Sequence, residues 1–213
     1  MGDNIRFSLV GNNVPDSVVG KFPSPDSASK KAAIQQNTYL REVFFYQTIQ
    51  KTVDISTPRV YFADADQNTH DFIILMEDLA PGIQGDQIAG CTIDQAALAL
   101  EQLARLQGPR WGERALLDYP LLQGITQDPG KMQAMYLSLQ DGFLNRFGSR
   151  LGENYTKLVP QVGAFLTRYH DKYTGKPCLI HKDYRLDNMM FGGARAITAV
   201  SYTHLTLPTT MLV

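Results

Sequence analysis

The sequence predicts an α+β fold in two lobes: an antiparallel sheet with one helix over residues 1–79, and a mainly helical part over residues 80–199. Three observations predict it. Short alternating or apolar runs recur four times before residue 77, set apart by turns rich in Asn, Asp and Pro. A single helical stretch divides these runs into two pairs. Beyond the Ala80-Pro81-Gly82 break, apolar residues recur mainly at helical spacing.

Each element follows from its own residues. Ile5–Val10 alternates, with Ile5, Phe7 and Leu9 on one face, and reads as a strand. Asn12–Asp16 is a turn, and Ser17–Phe22 is a second strand, so the two form an antiparallel hairpin. Pro23–Ala32 is polar and reads as a loop. A helix follows from about Ala33 to Lys51, its apolar side built imperfectly from Ile34, Leu40, Phe44 and Ile49. Pro58–Phe62 and Asp71–Met76 are two more strands. Thr92-Ile93-Asp94-Gln95 is a capping box that opens a helix with Ala97, Leu100, Leu103, Ala104 and Leu106 as apolar positions. Pro129-Gly130 precedes a helix over Lys131–Phe147. Another helix runs from about Glu153 to Lys172, kinked or broken near Pro160. Cys178–Ile180, Met189–Phe191 and Ala196–Val200 are short strand-like pieces.

Composition excludes several classes. The chain has 213 residues, 44% hydrophobic and 19% charged, which suits a globular protein with a sizeable core. Its net charge is −1 and no basic run stands out, so neither nucleic acid nor an anionic membrane surface is an expected partner. The N-terminus lacks the apolar core of a signal peptide, and no apolar run reaches the roughly 18 residues of a membrane span. The two cysteines, Cys91 and Cys178, have no metal-ligand spacing; a reducing cytoplasm suits them.

The densest chemistry lies in His181-Lys182-Asp183-Tyr184-Arg185-Leu186-Asp187-Asn188, a polar insert between two apolar runs. Phosphoryl transfer to a hydroxyl needs a carboxylate that accepts or orients the hydroxyl proton, and oxygen ligands for Mg²⁺ nearby. Asp183 and Asn188, five residues apart on a loop between short strands, can supply both. His181, Asp183 and Asn188 match the H-x-D-x-x-x-x-N pattern of kinase-like catalytic loops. A site of this type also needs a strand lysine facing the phosphates and a helix glutamate to hold it. Lys21 lies near the end of the second strand and Glu42 lies on the next helix. "FIILMEDL", residues 72–79, has the form of a strand running into a linker whose backbone meets adenine.

These stretches carry a resemblance. "VVGKFPS", "YLREVFFYQ", "FIILMEDL", "LARLQGPRW" and "HKDYRLDNMMF" resemble the aminoglycoside phosphotransferase and choline kinase group, and within it the ecdysteroid-kinase-like bacterial phosphotransferases. The resemblance spans about residues 1–199 and implies a protein-kinase-like fold, with ATP and Mg²⁺ as cofactors and a small-molecule acceptor as partner. It implies Asp183 as catalytic base, His181 as a loop-ordering residue and Asn188 as a metal ligand. Lys21 would contact the phosphates, Glu42 would pair with Lys21, and the backbone of Glu77 and Leu79 would meet adenine. Two positions depart from the group: Lys182 stands where Gly is usual, and Gln107 where His is common. Tyr136, Phe143 and Phe147, at helical spacing, are candidates for an acceptor pocket.

Both ends depart more strongly. The chain opens on what resembles the second strand of this fold, without the glycine-bearing turn that covers the phosphates. A second metal-binding acid is expected near position 202, which is Tyr. Val200–Thr209 reads as the in-frame translation of a transposon-end sequencing adapter, so residues 200–213 are expected to be an artefact and the chain an internal, inactive fragment of a longer enzyme. Two other readings stay open. One is a pseudokinase-like binding module without turnover. The other is a helical interaction protein in which the motif is only a turn, and it predicts that Lys21, Glu42 and Asp183 lie apart.

Overall fold

A computed structural model describes residues 2–123, 129–171 and 175–200; position 202 and the rest of the expected adapter-derived tail lie outside them. The first four strands, β1 (Asp3–Ser8), β2 (Ser17–Phe22), β3 (Val60–Ala65) and β4 (Phe72–Glu77), form one antiparallel sheet in the order β1-β2-β4-β3. The central strand β4 alternates as its sequence requires: Phe72, Ile74 and Met76 are buried, and Ile73, Leu75 and Glu77 are half-buried. Register sets Lys21 opposite Asn4 on one side and Ile74 on the other.

The alternation of β1 puts Ile5, Phe7 and Leu9 on one face, as the sequence suggests, and that face is the open one. Ile5, Phe7 and Leu9 are exposed, while Asn4 and Arg6 line the cavity described below. Among the described residues β1 is an edge strand paired with β2, and the Phe7 ring meets the Phe22 ring edge-on at 6.2 Å. Gly20 makes that arrangement possible: a Cβ there would lie 2.7 Å from the Phe22 ring and 2.9 Å from the Phe7 ring.

The helical stretch after β2 differs from the single expected helix. Helix α1 (Ser27–Gln35) starts inside the segment expected to be a loop, because Asp26 caps it by accepting a hydrogen bond from the Ser29 N–H at 2.7 Å. Ala33 is the one fully buried residue of this helix. Asn37, in the left-handed region at φ 53°, ends that run, and α2 (Thr38–Phe44) begins anew. A π-helical turn, Phe45–Ile49, and a 3₁₀ turn, Gln50–Thr52, continue it. The π turn inserts a residue into the helical period, which accounts for the imperfect spacing of Leu40, Phe44 and Ile49. The buried side is Tyr39, Leu40, Val43, Phe45, Tyr46 and Ile49, and Tyr39 stacks on Phe72 at 4.4 Å between ring centroids.

Helix α3 (Ile93–Gln107) carries the expected capping box: Gln95 N–H donates to Thr92 Oγ1 (3.2 Å) and Thr92 N–H donates to Gln95 Oε1 (2.9 Å). Its buried positions are Ala99, Gln102 and Leu106, whereas Leu100, expected on the apolar side, is 65% exposed. Gln102 turns inward because its Oε1 accepts the Ser56 N–H at 2.6 Å. A small sheet, β5-β6-β7, joins β5 (Ile83–Gln84), β6 (Met189–Phe191) and β7 (Ile197–Ala199). Leu106, Leu116, Leu122, Leu179 and Ala199 share one buried cluster with the residues of α2 and β4.

By its internal contacts the chain divides into two compact units, one of Met1–Leu122 with the described residues from Pro177 onward, the other of Gln123–Lys176. In the second, α4 (Pro129–Phe147) packs on α5 (Glu153–Asp171). Helix α5 runs through Pro160 as one element, where the sequence suggests a kink or break. Tyr136 donates its phenol O–H to the Val159 carbonyl at 2.9 Å, and Phe143 lies 5.3 Å from Phe147.

Candidate active site

Alternation along β2 turns Val19 and Lys21 to the same face, and Lys21 reaches Glu42 there. The Lys21 ammonium donates to both oxygens of the Glu42 carboxylate, at 2.6 and 2.7 Å. Both are buried, with side chains 9% and 1% exposed. The break at Asn37 gives α2 its own start, and α2 carries Glu42. One turn further on, burial together with the Glu42 charge pushes the Tyr46 phenol pKa well above its ordinary value.

Lys21 and Glu42 line a cavity of about 340 Å³ whose wall also includes Met76, Leu79, Asp187 and Asn188. Glu77, expected with Leu79 at the adenine edge, donates its N–H to the Arg59 carbonyl at 2.9 Å. Its carboxylate accepts the Arg59 N–H at 2.7 Å and pairs with Arg195 at 2.6 Å. The Leu79 carbonyl accepts the Gly82 N–H at 2.8 Å, while the Leu79 N–H makes no hydrogen bond among the described residues.

The motif loop lies at the same cavity. His181 is fully buried, with its ring edge-on to Tyr184 at 5.5 Å, and its carbonyl accepts the Asp183 N–H at 2.8 Å. Lys182 is exposed and has φ 56°, the left-handed region in which a glycine is unstrained. Asn188 donates its Nδ2 to the Asp183 carboxylate at 2.9 Å and to the Asp183 carbonyl at 2.8 Å. That fixes the amide: the nitrogen is held on Asp183, and Oδ1 is left as an oxygen donor. One oriented amide oxygen is a partial fit to a Mg²⁺ ion, which ordinarily takes one or two carboxylates beside phosphate and water, and no cluster of three His, Cys, Asp or Glu side chains is found among the described residues. Lys21, Glu42, Leu79 and Asn188 therefore share one cavity, while Asp183 and His181 are not among its lining residues; Asp183 is hydrogen-bonded to Asn188, which is.

Several residues beyond the expected set take part. Arg185, between two carboxylates, lies 3.3 Å from Asp183 and 3.3 Å from Asp187. Asp78 accepts from Arg6 (2.6 and 2.9 Å), Ser17 (2.7 Å) and the Ala80 N–H (3.1 Å), tying β1, β2 and the linker together. Burial alone would raise the Asp78 pKa, but the hydrogen bonds from Ser17, Ala80 and Arg6 outweigh it, and the net shift is downward. Arg6 and Asp78 are 72 residues apart, and nothing local in the sequence pairs them. Asp187 and Arg185 are legible in the motif, but only as part of its charge.

Residues 7–200 match the phosphotransferase enzyme family. The chain belongs to that family. Phosphotransfer involving small molecules is the activity class that goes with this membership. A search of curated proteins finds no match. Among solved structures, the chain is similar to the GDP and kanamycin complex of APH(2")-IIia, with 17% identity, a TM-score of 0.58, and coverage of 95% of this chain and 68% of that one. It is also similar to the gentamicin complex of APH(2")-IIa, with 17% identity, a TM-score of 0.52 and coverage of 89% and 60%. The streptomycin–ATP ternary complex of the same enzyme follows at 16% identity, a TM-score of 0.50 and the same coverage. At these identities the likeness is one of fold, and the fold is the expected kinase-like one. Among the described residues, no helix is long and apolar enough to cross a membrane.

Proposed function

We propose that the whole protein moves the γ-phosphoryl group of ATP to a hydroxyl of a small organic acceptor. The observation that carries the reading is the buried Lys21–Glu42 pair in the wall of the same cavity as Asn188. Glu42 holds the Lys21 ammonium in a fixed place, where it meets phosphate oxygens. The Leu79 N–H, at the same cavity, is a donor for the adenine edge. Asp183 orients the acceptor hydroxyl: the hydroxyl oxygen forms the new bond to γ-phosphorus, its proton passes to the Asp183 carboxylate, and ADP leaves with the electrons of the broken P–O bond. Each carboxylate oxygen has two lone pairs, so the contacts to Asn188 and Arg185 leave room for that proton. Asn188 Oδ1 would hold Mg²⁺, which neutralises phosphate charge when bound. A cytoplasmic setting goes with the reading: it supplies ATP and keeps the two unbridged thiols, Cys91 and Cys178, reduced.

The test is acceptor-dependent ADP release over a panel of hydroxylated small molecules, with the whole protein and its Asp183→Asn variant compared. The expected result is release with at least one acceptor, lowered roughly 100-fold or more by the substitution while ATP affinity holds within about twofold. ATP bound without turnover on any acceptor favours the binding-module reading, and Asp183→Asn at wild-type rate removes Asp183 from the chemistry.

A further inference from the structure

Residues 83–87, just past the linker, lie directly on the motif loop. Gly85 N–H donates to the Met189 carbonyl at 3.0 Å, and Gln84 Nε2 donates to the Asp187 carbonyl at 2.6 Å. Gln87 engages the loop twice: its N–H donates to Asp187 Oδ1 at 3.1 Å, and its side-chain Oε1 accepts the Leu186 N–H at 3.1 Å. Gly85 approaches so closely that a Cβ there would lie 2.6 Å from the Leu186 carbonyl oxygen. The turn held in this way, Leu186–Asn188, has no fully buried residue, so packing alone does not fix it. From its far side the same Asp187 carboxylate leads through Arg185 to Asp183.

We propose that Gln87 is a positioning residue for phosphoryl transfer: it holds Leu186 and Asp187 so that Asn188 stays at the cavity wall with its amide nitrogen on Asp183. The proposal rests on the reading of Asp183 and Asn188 as reactive groups. Gln87 touches no reacting atom; it acts through the loop. Methionine at this position keeps the length and removes the acceptor for the Leu186 N–H. Glutamate keeps both length and acceptor oxygen.

The test measures slow ATP hydrolysis without acceptor, using the whole protein, Mg·ATP, and the variants Gln87→Met and Gln87→Glu. In Gln87→Met, kcat should fall about tenfold with the KM for ATP within about twofold, and Gln87→Glu should recover most of kcat. Amide hydrogen exchange over residues 183–189 should quicken about tenfold in Gln87→Met and return in Gln87→Glu. Wild-type kcat in Gln87→Met overturns the proposal, as does a loss in which kcat and KM move with thermal stability and Glu does not rescue. Where wild type itself binds and turns over no ATP, the phosphotransfer reading fails on its own, and unchanged exchange over 183–189 in Gln87→Met overturns the positioning role separately.

Discussion

Replacing Lys21 with methionine leaves the Glu42 carboxylate without the cation that both its oxygens hold, at 2.6 and 2.7 Å. With the two side chains 9% and 1% exposed, water cannot take the place of the ammonium. Removing one partner of a buried pair costs about 3–5 kcal/mol. A chain of this size melts roughly 2–4 °C lower for each kcal/mol lost, so Lys21→Met should melt on the order of 10 °C below wild type. The double variant Lys21→Met/Glu42→Leu removes both charges and keeps similar volume, and it should regain most of that loss. Neither variant should bind ATP with wild-type affinity, because the recovered stability does not restore the phosphate contact. The assay is urea denaturation and thermal melting of all three proteins, with ATP affinity measured alongside. A Lys21→Met cost below about 1 kcal/mol would mean that the pair is solvated. Undiminished ATP affinity in the double variant would mean that the pair serves the fold alone.

Three further outcomes follow. Lys182→Gly should stabilise the chain by up to about 1 kcal/mol, since φ 56° strains any residue with a Cβ, and a lower urea midpoint would show that the lysine side chain contributes more than its backbone costs. Asp78 has a folded-state pKa below its unfolded one, so its contribution is full above the unfolded value of about 3.9 and is lost as pH falls through the lower folded value. Asp78→Asn should therefore lower stability at neutral pH and converge on wild type in acid, and an equal deficit at both ends of a pH series would contradict this. Native protein should titrate one thiol with a disulfide reagent, Cys91, and a second only after unfolding, because burial both covers Cys178 and raises its thiol pKa; two fast thiols in the native state would refute the placement.

Strands and caps were legible because their signals are local. The alternation of β4 and the capping box at Thr92 and Gln95 each sit within a few residues, and Lys21 and Glu42 were each read from their own element, 21 residues apart. The face of β1 was not legible, because alternation reports two faces and only the neighbouring strand decides which one is covered. The helix break at Asn37 needs a backbone in the left-handed region, and the π turn after Phe44 shifts a period that sequence spacing treats as constant. Long-range hydrogen bonding is the largest unreadable part. Gln87 meets the motif loop about 100 residues away and Arg6 meets Asp78 across 72, and the polar residues involved look like ordinary surface in the sequence. Within the motif, the spacing of Asp183 and Asn188 was visible, but the direction of the Asn188 amide comes only from its two hydrogen bonds.

Labelling with an acyl-phosphate derivative of ATP tests most directly whether Lys21 faces nucleotide phosphates. Such a reagent transfers its acyl group to a lysine amine held beside the phosphates and releases ATP, and digestion with mass spectrometry locates the amide formed. Lys21 should carry the acyl group, excess ATP should suppress it, and Lys182, which is not part of the cavity wall, should react slowly and without competition. Acylation of Lys182 or other exposed lysines with Lys21 unmarked, or labelling of Lys21 that ATP does not suppress, would contradict a nucleotide site at this cavity.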